Sequence, residues 1–332
     1  MDMNVNKRTL QEVFASNFHE KFSFSDFLEL TVSDNIKATQ LHGRKIIQPS
    51  DSFKRLLHFL VKNVFDYASV AEAAVFSYRK GVNIRDAVLP HSNNRYFYQT
   101  DVANFFGSIT KNLVENALKT RLDGVPISDL QNFIPIILGL VTYENNLPLG
   151  FPTSPSISNI CLYDFDNELA SRCEKMSIVY TRYADDIILS SSDEDALKQV
   201  SVMIDSLLKV HVHPNINLNT SKTRYLQRGQ KIKLLGLVVL PNGQISIDKA
   251  DKSEIETLLY LYLADATQFL EYSAFIKHKK TKSDDTLSRE SALAMLSGRL
   301  LGANAMVPEY VLKLRQKYGN TIIDMFLHKS AK

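Results

Sequence analysis

Two runs of β-forming residues, 178–183 and 187–190, stand on either side of Ala184-Asp185-Asp186. Branched and aromatic side chains in runs this short read as strands, and so brief a link between them is the signature of an antiparallel hairpin. Two carboxylates then occupy the hairpin tip. Taken alone, Asp-Asp in a turn is ordinary turn chemistry. A third carboxylate stands elsewhere: Tyr96-Phe97-Tyr98-Gln99-Thr100 reads as a further strand, and Asp101 stands at its end. If these strands are sheet neighbours, Asp101, Asp185 and Asp186 converge at one edge although 84 residues separate Asp101 from Asp185. Hard oxygen ligands on rigid strands suit Mg²⁺, which takes one or two carboxylates, water and substrate phosphates. Two such ions clamp the attacking and leaving oxygens of a phosphoryl displacement.

The chain is long enough for such a sheet and more: 332 residues, at roughly 150 per domain, predict about two compact units. Hydrophobic residues at 45% and charged residues at 23% exclude collagen-like and wholly disordered chains. The longest apolar runs, such as 133–141 and 234–241, fall short of a membrane span, and no secretory signal opens the sequence, so a cytoplasmic protein without membrane partners is expected. Cys161 and Cys173 form neither a CxxC pair nor a zinc-spaced cluster and read as buried reduced thiols. Charge is uneven. Residues 222–332 hold 18 Lys and Arg against 11 Asp and Glu, an excess suited to nucleic-acid phosphates or to a solvated helix face.

The remainder alternates helix and strand, with no repeat of solenoid period. Residues 8–40 suggest short helices, with Ser25 as an N-cap, and a proline-stopped strand spans 45–49. Apolar spacing predicts helices over 52–67 and 129–143. The Pro- and Gly-rich stretch 147–155 is a loop feeding a helix over 156–174, on which Asp164, Asp166 and Glu168 read as a polar face. A helix over 194–210, a strand over 231–239, a Pro241-Asn242-Gly243 turn and a strand over 245–247 follow. Helices are then predicted over 255–275, 286–301 and 308–326. His211 and His213 lack a third ligand nearby and read as solvated, and His91 as a loop histidine.

Six segments, in order, carry a family resemblance. Tyr183-Ala184-Asp185-Asp186 between two apolar strands resembles the YxDD motif of reverse transcriptases. The segment from Asp101 through Phe105-Phe106 to Ser108-Ile109 is similar to their first catalytic motif, and Gly150 to Asn159 to the loop and helix of bacterial members. Asn219-Thr220-Ser221-Lys222-Thr223, Leu234-Leu235-Gly236 and Arg44-Lys45-Ile46-Ile47-Gln48-Pro49 resemble the remaining three.

The resemblance implies an α+β right-hand polymerase with fingers at 1–95, a palm of antiparallel sheet and helices at 96–240, and a basic helical thumb at 241–332. It implies that Asp101, Asp185 and Asp186, with the Val102 carbonyl, bind two Mg²⁺ ions, with Mn²⁺ as a substitute. Arg44 would grip the triphosphate, Phe106 would exclude a 2′-hydroxyl and so select dNTPs, and Tyr183 would sit near the primer end. Lys222 would protonate the departing pyrophosphate. Gly150 belongs to the nucleotide loop, where Leu149 replaces the family's usual Gln.

Compact retron and defence-associated bacterial enzymes are the nearest in size, and Tyr78-Arg79-Lys80-Gly81 matches their segment before the first Asp. Two stretches depart from retron enzymes, Asp86-Ala87-Val88-Leu89-Pro90-His91 where they carry N-A-x-x-H, and Leu234-Leu235-Gly236 where they carry V-T-G. These point to a divergent defence-type enzyme. The implied activity is RNA-directed DNA synthesis on a dedicated non-coding RNA template in anti-phage defence, yielding a DNA product, with a toxin or effector as a further partner. A template-independent or protein-primed polymerase, and a catalytically silent RNA-binding subunit, stay open.

Overall fold

The computed structural model describes residues 7–41, 43–281 and 287–328. The chain forms two compact units, one over Met1–Val82 and Asn94–Leu226, the other over Asn83–Asn93 and Gln227–Lys332, in each case for the residues described.

The first unit begins with helix Leu10–Phe18, whose N-cap Thr9 exchanges hydrogen bonds with Glu12 in a capping box. Helix Phe24–Glu29 is capped by Ser23 rather than the expected Ser25. Phe14 lies against Phe18, Phe24, Phe27 and Phe59, with ring centroids 4.7 to 5.3 Å apart, so aromatic packing draws the first helices onto helix Asp51–Asn63. Strands β1 (Ile36–Leu41) and β2 (Arg44–Pro49) form an antiparallel hairpin. Only β2 is legible in sequence; β1 is mostly exposed and takes its conformation from its partner.

The central sheet has the order β4-β5-β3-β6, from β3 (Tyr96–Asp101), β4 (Val179–Tyr183), β5 (Asp186–Ser191) and β6 (Arg224–Gln227). Phe97, Tyr98, Ile187, Ile188 and Leu189 are all buried. Helices Lys111–Thr120, Leu130–Val141 and Val200–His211 contribute Val114, Leu118, Ile137, Ile204 and Leu208 to one core with Tyr98, Ile187 and Leu189. The helix expected over 156–174 is two, Ser154–Cys161 and Tyr163–Lys175, divided at Leu162. Cys161 and Cys173 are buried and free, and burial pushes the Cys173 thiol up to about 12.

In the second unit the expected strand 231–239 is instead a hairpin of β7 (Ile232–Leu234) and β8 (Leu237–Val239), and β8 also pairs with β9 (Ile245–Ile247). The turn residues Leu235 and Gly236 have φ of 49° and 88°, the left-handed pair that a two-residue hairpin requires. Helices Lys249–Ala264 and Ala266–Thr281 replace the single helix expected over 255–275. Asp265 separates them by accepting from the amides of Thr267 and Gln268, which makes it an N-cap in mid-pattern. Helix Arg289–Met306 starts on Ser288; the expected start at Thr286 lies outside the described residues. Gly319, at φ 91°, divides the expected last helix into Pro308–Tyr318 and Asn320–His328.

The segment Asn83–Asn93 packs within this second unit. A Cβ at Gly243 would meet Asn93 Oδ1 at 3.0 Å and the Ser92 carbonyl at 3.3 Å, and Arg228 donates to that carbonyl. His91 is fully buried rather than a loop residue, and burial pushes its imidazole down to about 3. The basic excess gathers at the start of the last third: residues 222–233 hold five Lys and Arg and no acid, whereas 241–332 hold 13 against 11. Lys231 and Lys233 are already paired with Asp248 at 2.7 and 3.1 Å. Among the described residues no helix is long and apolar enough to cross a membrane.

Candidate active site

Asp101 at the end of β3 is the direct Cα partner of Asp186 at the start of β5, and Asp186 is in turn the partner of Tyr183 at the end of β4. Ala184 and Asp185 form the turn between β4 and β5, and the Asp185 carbonyl accepts from the Val102 amide at 3.1 Å. The sheet order thus brings the three carboxylates to one edge across the intervening chain. A cavity of about 540 Å³ adjoins them, lined among others by Arg44, Asp101, Val102, Phe106, Leu149 and Asp185. That volume lies in the range of small-molecule sites. Tyr183, Asp186, Lys222 and Gly150 stand outside the lining.

Asp101 is 4% exposed, and the Lys222 ammonium donates to its Oδ2 at 2.6 Å. Its Oδ1 is buried without a hydrogen-bond partner. Burial, and then the nearby charges of Asp185 and Asp101, push the Asp186 carboxyl up to about 6. The hydrogen bond to Asp101 raises the Lys222 ammonium. Lys222 reaches this place because its loop is stitched to β3: the Asn219 amide donates to the Asp101 carbonyl at 2.8 Å, and the Thr100 and Thr223 hydroxyls lie 2.7 Å apart. Among the described residues no three His, Cys, Asp or Glu side chains form a ready-made metal cluster. The donor set nonetheless suits a hard divalent cation. Three mutually repelling carboxylates, one with an unsatisfied buried oxygen, are the chemistry that such an ion relieves.

Leu147, Pro148 and Leu149, at the start of the loop 147–153, form another wall. The Leu149 carbonyl accepts from the Ile47 amide at 2.8 Å, which ties the loop to β2. Gly150 has φ 116°, and a Cβ there would stand 2.5 Å from the Ile47 carbonyl oxygen, so only glycine permits this approach. Lys45, unassigned in the sequence, pairs with Glu144 at 2.7 Å, and both line the cavity. Phe105 and Phe106 both line the cavity, Phe105 buried in the core and Phe106 only half-buried.

Several polar residues differ from their sequence reading. Asp166 is not part of a solvated face: it is fully buried against Arg182, which is also fully buried. No single-sequence signal marks it, because its neighbours Asp164 and Glu168 are surface residues paired with Arg121 and Arg172. His211 is not solvated either; its Nε2 lies 2.6 Å from Glu168.

The reverse transcriptase (RNA-dependent DNA polymerase) family matches residues 37–239, more than half of the chain. The chain belongs to that family and is an RNA-directed DNA polymerase with the right-hand fold. Its relatives include the retron Ec83 reverse transcriptase of Escherichia coli, 27% identical over 286 residues that cover 84% of each chain. The retron Ec73 enzyme of Escherichia coli is 28% identical, covering 83% of each chain. The retron Ec86 enzyme of the same organism is 25% identical, covering 85% of this chain and 80% of its own. The apo telomerase of Candida tropicalis has a TM-score of 0.47 at 13% identity, covering 88% of this chain and 62% of that one. The chain is retron-like, as its family resemblance implies, despite its departures at Asp86–His91 and Leu234–Gly236.

Proposed function

We propose that this chain copies a dedicated non-coding RNA into DNA from dNTPs, in the cytoplasm, as part of an anti-phage system with a separate toxin or effector. The observation that carries the chemistry is the direct pairing of Asp101 with Asp186, with Asp185 in the adjoining turn, beside a nucleotide-sized cavity. Asp101, Asp185, Asp186 and the Val102 carbonyl would hold Mg²⁺, two ions in this reading or Mn²⁺ in their place, which supply charge neutralisation and activation of the primer hydroxyl.

The chain's own groups do the rest. Arg44 grips triphosphate oxygens with its guanidinium fork, a bidentate contact that an ammonium cannot make. Phe106 packs beneath the sugar and leaves no room for a 2′-hydroxyl. Tyr183 supports the primer end beside Asp186. Lys222, protonated at neutral pH and held on Asp101, supplies the proton to the departing pyrophosphate. Leu149 offers the nucleotide an apolar contact, and Gly150 lets the loop close onto β2. The limits 1–95, 96–240 and 241–332 for fingers, palm and thumb belong to this proposal.

Sequencing the nucleic acid that copurifies with the protein tests the substrate directly. One discrete RNA species joined or paired to its DNA copy is expected. Purified protein that carries no RNA, and extends a primer without any template, would instead favour template-independent synthesis.

A further inference from the structure

Asp166, on helix Tyr163–Lys175, and Arg182, on β4, are both 0% exposed and take no part in the steps above. Arg182 Nε donates to Asp166 Oδ1 at 2.8 Å and Nη2 to Oδ2 at 2.6 Å, a fork on a carboxylate. The Tyr180 hydroxyl donates to the same Oδ1 at 2.7 Å and fixes the carboxylate plane. The remaining nitrogen, Nη1, donates to the Ala184 carbonyl at 2.9 Å. The Ala184 amide donates to Ser77 Oγ at 2.8 Å, and the Ser77 carbonyl is held by Asn159 Nδ2 at 2.8 Å. Both backbone groups of Ala184 are therefore held by side chains. Ala184 has φ 58°, a conformation that a residue with a Cβ keeps only where its surroundings enforce it.

A buried ion pair is a weak way to stabilise a fold, since desolvation offsets most of its attraction and apolar replacements are often neutral or better. What apolar side chains cannot supply is the directed N–H on the Ala184 carbonyl. That carbonyl sits one residue before Asp185 and two before Asp186, at the turn whose far side pairs with Val102 and Asp101. Any rotation of the turn shifts two carboxylates against the third.

We infer that the buried Asp166–Arg182 pair is the positioning device of the carboxylate turn. It rests on the reading of Asp101, Asp185 and Asp186 as the reaction centre. Asp166 sets the guanidinium plane, Arg182 sets the Ala184 carbonyl, and Ser77 sets its amide. None of the three touches the nucleotide.

The double variant Asp166→Leu/Arg182→Met removes both charges together and leaves no unpaired ion in the core. Single-nucleotide incorporation on a preformed template-primer reads two quantities, the burst amplitude as active fraction and the burst rate at saturating dNTP. The positioning role predicts an unchanged amplitude, unchanged dNTP affinity and a burst rate about a hundredfold lower, the loss that a misplacement near 1 Å produces. Should the double variant fail to fold, Arg182→Lys keeps the charge without the fork and carries the same expectation. A folded variant that reacts at the wild-type rate overturns the inference, as does a loss confined to burst amplitude. Asp185→Asn, assayed alongside, separates the two readings. If Asp185→Asn still polymerises, the reaction centre is wrong; if it is inert while the pair variant is fully active, only the positioning role fails.

Discussion

Lys222 Nζ lies 2.6 Å from Asp101 Oδ2 and places an ammonium on the most buried of the three carboxylates. The lysine side chain is 57% exposed, so the pair stabilises the fold little, and in the proposed role the lysine serves as the proton donor. Lys222→Met should slow nucleotide incorporation at saturating dNTP by about a hundredfold or more, the usual effect of losing a positioned general acid. Rapid-quench kinetics check this. An unchanged chemical step in that variant would mean that the ammonium only balances the charge of Asp101.

Asp186 makes the metal-free protein sensitive to pH in a definite direction. Its carboxyl is raised from 3.8 to about 6, first by burial and then by Asp185 and Asp101. A group raised on folding contributes stability that is fully present below its unfolded value and is lost as pH rises through the folded one. Between roughly pH 4 and 6 that contribution disappears. In chelator, Asp186→Asn should therefore melt higher than wild type at pH 7.5 and lose that advantage at low pH. Thermal melts of both proteins across that range test it, and a difference independent of pH would contradict it.

The nucleotide loop separates a side-chain effect from a backbone effect. Leu149→Gln adds an amide to the cavity wall, where leucine can neither donate nor accept; a neutral hydrogen bond to the nucleotide of about 0.5–1.5 kcal/mol should lower the dNTP KM by up to about tenfold. Gly150→Ala should do the opposite, because its Cβ meets the Ile47 carbonyl at 2.5 Å and φ 116° is closed to alanine. A higher dNTP KM and a lower Tm are expected together. Steady-state kinetics and melting of both variants decide the matter, and a neutral Gly150→Ala would show that the loop does not need this approach to β2.

Adjacent phenylalanines make a controlled comparison. Both line the cavity, but Phe106 is half-buried there, while Phe105 is 6% exposed and packed mainly in the core. Phe106→Val should raise the use of rNTP relative to dNTP with little change in stability. Phe105→Ala should cost about 3–5 kcal/mol without changing sugar preference. Competition between rNTP and dNTP, with denaturation of each variant, tests both expectations; equal discrimination by wild type and Phe106→Val would remove the gate.

What could be read in the sequence was whatever strong local pattern dictates. The hairpin at 184–186, β2 and β3 rest on β-forming runs and turn chemistry and stand where expected, and the helix expected over 52–67 forms as Asp51–Asn63, ending four residues early. Breaks inside helical patterns were hidden because Asp265 and Gly319 act through local caps that periodicity does not register. The hairpin at 232–239 was hidden because Leu235, a residue that disfavours positive φ, occupies its turn. Asp166 was hidden for a deeper reason: its partner Arg182 is 16 residues away, and only the fold reveals that both are buried. The pairing of Asp101 with Asp186 was an inference from strand ends, and the antiparallel β3–β5 register supplies its geometry.

The most direct test of the whole account is primer extension with dNTP and Mg²⁺ on an RNA template by Asp185→Asn and Asp101→Asn, each purified beside wild type. Each change removes one charge from the carboxylate edge and alters side-chain volume little, so both proteins should fold and bind the template-primer. The account predicts that neither adds a nucleotide at a measurable rate while wild type extends to the template end. Extension by either variant at the wild-type rate would contradict it.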